Sequence, residues 1–274
     1  MAPVLLRNRS FSHRLFGQQC SLIKPIIAAS PCAISGRSTG TSVQLEPEAS
    51  SFPMDKTLFR DGNKVTFENL EIATPSGCTM LSEQYVQIAL GERVVIVGAP
   101  GTGKTLLFLA IAGLWPWGSG RVALPSTGGV MFVPRQPYVP LGTLRAAVAY
   151  PSPETAFKDE EVTAVLQRAG LDRLSSSLDQ IARWDKELSD EEQQCLVLTR
   201  VLLHKPRLVV IDEALDPLDD DARNRVLRLL NDELKDAPII NIGRPETESH
   251  FFTRVLHLVK DPQGRCFLPD FRVA

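Results

Sequence analysis

The sequence predicts an α/β fold with a helical subdomain inserted into it, on three observations. Apolar runs of strand length alternate with helical patterns from Lys64 onward. A glycine-rich loop at residues 98–105 joins a strand pattern to a helix pattern. The alternation then pauses, and residues 142–204 read mostly as helix, within a subdomain of about 137–204.

The elements follow in order. "KVTFENLEI" (64–72) and "QYVQIAL" (84–90) alternate apolar and polar residues, as half-buried strands do. "ERVVIV" (92–97) is a continuous β-branched run, which suits a strand covered on both faces. "KTLLFLAIAGLW" (104–115) reads as a buried helix, and "GRVAL" (120–124) and "VMFVP" (130–134) as further strands. Three helices are expected in the inserted block: "GTLRAAVAY" (142–150), "DEEVTAVLQRAG" (159–170) and "DEEQQCLVLTRVLLH" (190–204). In the last, Cys195, Leu198, Val201 and Leu202 recur at helical spacing, and Leu196, Val197 and Leu203 widen that face. "RLVVIDE" (207–213) returns to strand and "LDDDARNRVLRLLNDEL" (218–234) to helix. "PIINIG" (238–243), "RVLHLV" (254–259) and a short "GRCFLP" (264–269) are the remaining strands.

Composition limits the function. The chain has 274 residues, 43% of them apolar, and a net charge of −2, which gives no support to a nucleic-acid partner. The five cysteines are scattered without metal-ligand spacing, so they read as reduced thiols. No stretch approaches the roughly 20 apolar residues of a membrane-spanning helix. Residues 1–45 hold five basic residues, seven serines and no acid; the first carboxylate is Glu46. That is the composition of an organelle transit peptide, favouring chloroplast over mitochondrion, followed by a polar linker at 46–61 and the main domain at 62–274.

The strongest chemical signal is Gly98-Ala99-Pro100-Gly101-Thr102-Gly103-Lys104-Thr105, a full G-x-x-x-x-G-K-[ST] pattern between a strand and a helix. Its glycines let backbone N–H groups turn inward as an anion cradle, and the following helix end adds positive field. Lys104 is expected to reach the β- and γ-phosphates of ATP, and the Thr105 hydroxyl to ligate Mg²⁺. "LVVIDE" then places Asp212 to hold Mg²⁺ through water and Glu213 to act as general base on the attacking water.

The order of these motifs resembles the nucleotide-binding domain of ABC transporters. P-loop, helical block, "LS-x-x-x-Q", acidic strand and "LD" turn follow one another over about residues 62–270. "AIAGLWPWGSGRV", "VPRQPYVPLGTLRAAVAYP" and "LLHKPRLVVIDEALDPLDDD" look closest to subfamily D, the fatty-acyl half-transporters and their bacterial and plastid relatives. The resemblance implies an α/β P-loop NTPase fold with the ABC-type mixed sheet. It implies MgATP hydrolysis and a second nucleotide-binding domain, as homo- or heterodimer. It also implies an ABC membrane domain or half-transporter as partner, which would make this chain peripheral to a membrane. Ser189 matches the signature serine that faces a partner's nucleotide, and Asp219 the turn that crosses the dimer interface.

The sequence departs from that family at three places. Where the signature calls for a glycine stands Glu191, preceded by Asp190 and followed by Glu192. A carboxylate about 5 Å from a phosphate charge costs roughly 3 kcal/mol at an effective dielectric of about 20, so closure over a partner's ATP is disfavoured. Ser-x-x-Glu is equally a capping-box pattern, and the acids then serve the first turn of a helix. In "VPRQPY", Arg135 stands where the family has its Mg²⁺-sensing glutamine, and Gln136 follows. Arg244 takes the position of the switch histidine, while His250 and His257 read as surface or strand residues. At the adenine-stacking position "IATP" offers Thr74 in place of an aromatic, and Phe67 reads as core.

Overall fold

In the computed structural model the described residues are 59–60, 64–125, 129–244 and 250–264. The expected leader (1–45), nearly all of the expected linker (46–61) and the expected strand at 264–269, Gly264 apart, lie outside them. In chain order, β1 (Phe59–Arg60), β2 (Val65–Thr74), β3 (Gly77–Leu81), β4 (Tyr85–Ile88) and β5 (Arg93–Val97) lead to helix α1 (Lys104–Ile111). β6 (Gly118–Leu124) and β7 (Val130–Val133) come next. The helical block holds β8 (Gly142–Thr143), α2 (Leu144–Ala149), α3 (Asp159–Arg168), β9 (Ile181–Ala182), α4 (Trp184–Glu187) and α5 (Asp190–His204). β10 (Leu208–Asp212), α6 (Asp220–Glu233), β11 (Ile239–Gly243) and β12 (Arg254–Asp261) follow.

The sheet is mixed. β12, β5, β11, β10 and β7 lie side by side in that order, each parallel to its neighbour. Every residue of β5, β10 and β11 is buried, as their continuous apolar runs require of strands with both faces covered. An antiparallel wing of β3, β2, β4 and β6 continues the sheet through β12. β12 changes partner along its length: Arg254–His257 run parallel to β5, and Leu258–Asp261 run antiparallel to β3.

β2 alternates buried and partly exposed residues, as its polar/apolar alternation dictates, until a bulge between Glu68 and Glu71. Asn69 takes φ 45° at that bulge, a conformation asparagine tolerates better than most residues. Opposite it, Gly120 has φ 95°, and a Cβ there would lie 2.3 Å from the Asn69 carbonyl oxygen. Glycine is required at that crossing.

Two cores result from the pleat of one sheet. Along β10, Leu208 and Val210 join the cluster that contains α1 and the antiparallel wing. Val209 and Ile211 join the cluster built by the helical block and α6. Each such fully buried aliphatic side chain contributes about 1.5–3 kcal/mol.

Within the helical block, Arg145 bridges Asp159 and Asp179, tying α2 to α3 and to the approach to β9. Arg200 and His204, one turn apart on α5, meet the C-terminal carbonyls of α2. Arg200 donates to Ala147 and Tyr138 carbonyls at 2.8 Å, and His204 contacts the Ala149 carbonyl at 2.9 Å. The Ala147 and Ala149 carbonyls have no partner within a helix that ends there, while Tyr138 lies in the loop before it. Burial pushes the Arg200 guanidinium down to about 10, and the Tyr150 ring 5.3 Å away supports its charge.

α5 spans the residues its sequence pattern predicts, and most strands lie within two residues of theirs. β3 is not foreseen, because "GCTML" has no clean alternation; four of its five residues are buried. Gly142-Thr143, expected as helix, pair with Ile181–Ala182 as a short ladder.

Candidate functional site

The parallel strands bring their carboxyl ends to one edge. Val97 pairs with Gly243, Asp212 with Ile242, and Ile211 with Val133. The glycine loop after β5, the acids ending β10, Arg135 after β7 and Arg244 after β11 therefore leave the sheet on the same side. Open α/β sheets bind ligands at that edge.

The loop Gly98–Thr105 is held from within and from β3. Thr102 N–H donates to the Ala99 carbonyl at 3.1 Å, and its hydroxyl to the same oxygen at 2.8 Å. Thr79 on β3 donates its hydroxyl to the Thr102 carbonyl at 2.5 Å. Lys104 Nζ bonds the Gly98 carbonyl at 3.3 Å, closing the loop across its mouth. Gly101 and Gly103 adopt φ 78° and 93°. A Cβ at Gly101 would meet nothing within 4 Å, so conformation, not space, requires glycine there. Gly103 caps α1 without any side-chain bond, and no acid occupies the helix's first turn. The free N–H groups of that turn meet the exposed Ala99, Pro100, Gly101 and Thr105 at an anion-ready surface.

Opposite the loop stand Asp212 and Glu213. Asp212 is 3% exposed, and its Oδ1 is buried with no hydrogen-bond partner among the described residues. Burial pushes its carboxyl up to about 6, the Glu213 charge adds to that, and Thr105, Arg135 and Lys104 pull it back. An orphaned buried oxygen beside the exposed Thr105 hydroxyl forms an all-oxygen donor pair of the kind Mg²⁺ takes, so these residues fit that ion.

Glu213 has φ 48°, an unusual conformation for its residue type. Its N–H still bonds the Ile242 carbonyl at 3.0 Å, which extends the β10–β11 ladder by one residue. Beyond that bond the carboxylate meets two cations. Oε1 lies 3.2 Å from Lys104 Nζ, and Oε2 lies 3.0 Å from Arg135 Nη1.

The other expected residues are placed as follows. Arg135 is brought to Glu213, while Gln136 is exposed and makes no hydrogen bond among the described residues. Arg244 is exposed where β11 ends. Ser189 is the N-cap of α5: it accepts from Glu192 N–H at 3.2 Å, and Glu192 accepts from Ser189 N–H at 3.0 Å. Arg173 holds the other oxygen of Glu192 at 2.7 Å. Burial works against the Glu192 charge, but the Ser189 amide and Arg173 keep its carboxyl below the usual range. Asp219 caps α6 by accepting from Ala222 N–H at 2.7 Å. Thr74 is buried and donates to the Gly77 carbonyl at 2.9 Å, and Phe67 is core. His250 and His257 are exposed, the latter on β12.

Two contributors escaped the sequence. Thr79 anchors the glycine loop from a strand that was not foreseen. Gln194, 1% exposed, donates Nε2 to the Arg135 carbonyl at 2.5 Å and so joins α5 to the residue that grips Glu213. The only advance signal for Gln194 was a second glutamine in "LSDEEQQ", a polar residue where α5 turns inward.

A family model described as "ABC transporter" matches residues 81–216, from the last residue of β3 to the turn after Glu213. The chain carries an ABC transporter domain. An uncharacterized ABC transporter ATP-binding protein of Synechocystis is 32% identical over 224 residues, covering 80% of this chain and 34% of that protein. Human ATP-binding cassette sub-family D member 3 is 29% identical over 172 residues, covering 60% of this chain and 26% of that protein. The ABC domain thus resembles subfamily D, and the chain spans about a third or less of these relatives' length. A solved structure titled "Structure of a bacterial Atm1-family ABC exporter with ATP bound" matches with a TM-score of 0.59 at 23% identity, over 72% of this chain and 38% of that one. That likeness bears on the fold alone, an α/β domain with a mixed sheet and a helical block. No helix among the described residues is long and apolar enough to cross a membrane.

Proposed function

We propose that this ABC domain is the ATP-binding subunit of a transporter. It binds MgATP at its own P-loop and hydrolyses it slowly when alone. One observation carries the reading: Lys104, Asp212 and Glu213 converge at one sheet edge beside the uncapped start of α1. The loop amides of Gly98–Thr105 and Lys104 would take the phosphates, and Thr105 with Asp212 would hold Mg²⁺. When bound, Mg²⁺ supplies charge neutralisation at the phosphate oxygens. Glu213 accepts the proton of the attacking water once its carboxylate leaves Lys104.

The slow rate rests on the trans half of the family's arrangement. Asp190 and Glu191 occupy the first turn of α5, where a partner's phosphate would approach, so the better partner is a nucleotide-binding domain with an intact signature. The transport reading includes a separate ABC membrane domain or half-transporter, supported by the subfamily D likeness of residues 133–151. An organellar address, chloroplast before mitochondrion, is supported by the basic, serine-rich, acid-free residues 1–45.

A second reading is a nucleotide-binding regulator with little hydrolysis and no transporter partner. The grip of two cations on Glu213 favours it. Calorimetric titration with MgATP, followed by pull-down from organelle membranes, separates the two. Binding lost in Lys104→Ala, together with co-purification of an ABC membrane protein, supports the transporter reading. Binding without any such partner supports the regulator.

A further inference from the structure

We infer that Arg135 is a clamp on Glu213: its guanidinium, together with the P-loop Lys104, holds the carboxylate away from the position of an attacking water. The inference rests on the reading of Glu213 as the base for ATP hydrolysis.

Three observations build the clamp. First, each oxygen of Glu213 faces a different cation, Lys104 at 3.2 Å and Arg135 at 3.0 Å. A general base must point at the proton it takes, and a carboxylate shared between two cations points at them. Second, the three side chains differ in exposure. Lys104 and Glu213 are 14% and 15% exposed, whereas Arg135 is 73% exposed. Lys104 and Glu213 are walled in by the sheet edge, and Arg135 reaches in from solvent. It is the member that can leave without rearranging the core. Third, the Arg135 backbone is fixed while its side chain spans outward. The buried Gln194 side chain on α5 bonds the Arg135 carbonyl at 2.5 Å. The guanidinium therefore swings from an anchored point, and its closed position is the one that grips Glu213.

The residue type matters. A neutral amide at this position would give Glu213 a hydrogen bond and no permanent charge. Arginine stays charged at every working pH and offers several N–H donors in a fixed plane. An incoming terminal phosphate brings more negative charge than one carboxylate, and it competes for Lys104 directly. Arg135 opens when it follows the phosphate or solvent, and Glu213 is then free to turn to water. The clamp is a brake within one chain, distinct from the charge at Asp190 and Glu191, which acts across a dimer.

The test uses the full chain. Binding of a fluorescent ATP analogue with Mg²⁺ and steady-state hydrolysis are measured for wild type, Arg135→Ala and Arg135→Lys, each also with Glu213→Gln. Melting curves show that the variants are folded. Release of a partly exposed ion pair is expected to raise kcat of Arg135→Ala about fivefold with KM within about twofold. Arg135→Lys is expected to keep the slow rate, and Glu213→Gln to erase the gain. If Arg135→Ala binds the analogue but its kcat is unchanged or lower, the clamp is wrong; a raised KM would make Arg135 a phosphate ligand instead. Failure of the wild type to bind, or binding indifferent to Lys104→Ala, overturns the ATPase reading itself and the clamp with it.

Discussion

Lys104 Nζ and Glu213 Oε1 lie 3.2 Å apart, an ion pair between the glycine loop after β5 and the acid that ends β10, with β11 between them. In the proposed reading the pair links the phosphate-binding lysine to the water-activating acid before any nucleotide arrives. Phosphate entry must break it, because Lys104 cannot serve both anions equally.

Lys104→Met is therefore expected to lower MgATP affinity more than tenfold while leaving the fold intact. Glu213 keeps Arg135, so the stability loss is about 1 kcal/mol or less. Isothermal titration gives the affinity and a melting curve the stability. A variant with wild-type affinity would remove Lys104 from the phosphate site.

Asp212 makes stability depend on pH in an unusual direction. Its folded carboxyl is pushed up to about 6, first by burial and then by the Glu213 charge. An unfolded aspartate titrates near about 3.9, so the native state binds this proton more tightly than the unfolded state does. The charged form costs stability, and the cost grows as pH rises from about 4 through about 6. Asp212→Asn is expected to raise stability at pH 7.5 by about 2–3 kcal/mol and to give no gain at pH 4. The same variant should lose the Mg²⁺ dependence of nucleotide binding. Melting temperatures across that pH range read the first effect. A variant less stable than wild type at pH 7.5 would contradict the origin assigned to the shift.

The three acids at the start of α5 have separable roles. Glu192 closes the capping box with Ser189 and pairs with Arg173, so Glu192→Ala is expected to cost about 1–2 kcal/mol of stability. Among the described residues Asp190 makes no side-chain hydrogen bond or ion pair, nor does Glu191. Replacing both by glycine is expected to destabilise the helix start by up to about 1 kcal/mol per position. The same change should raise hydrolysis at high protein concentration, where two copies meet. Loss of stability without any rise in rate would confine these acids to the helix.

The fold was legible wherever local chemistry decides it. Val94–Val97 and Leu208–Ile211 are apolar without interruption because both faces of those strands are covered, and such runs are visible in a single sequence. α5 was readable at both ends because Ser189 and Glu192 write its cap and Pro206 lies just beyond it. The P-loop and the Asp212-Glu213 pair were legible because their spacing is the motif. Contacts made across the chain were not. Arg135 and Glu213 are 78 positions apart, and nothing in "VPRQPY" says where the guanidinium points. The partner exchange along β12 was equally hidden, since one strand with one pattern serves a parallel partner and an antiparallel one in the same sheet. Thr79 was lost because β3 has no periodicity to announce it.

The central claim is that this ABC domain binds and slowly hydrolyses MgATP through its own P-loop. Steady-state ATP hydrolysis by the purified full chain, measured beside Glu213→Gln over a range of protein concentrations, tests it most directly. Turnover well below one per second is expected at every concentration, abolished by the substitution. Turnover of several per second in a homodimer would contradict it, because the carboxylates of Asp190 and Glu191 would then be no obstacle to closure over a second ATP.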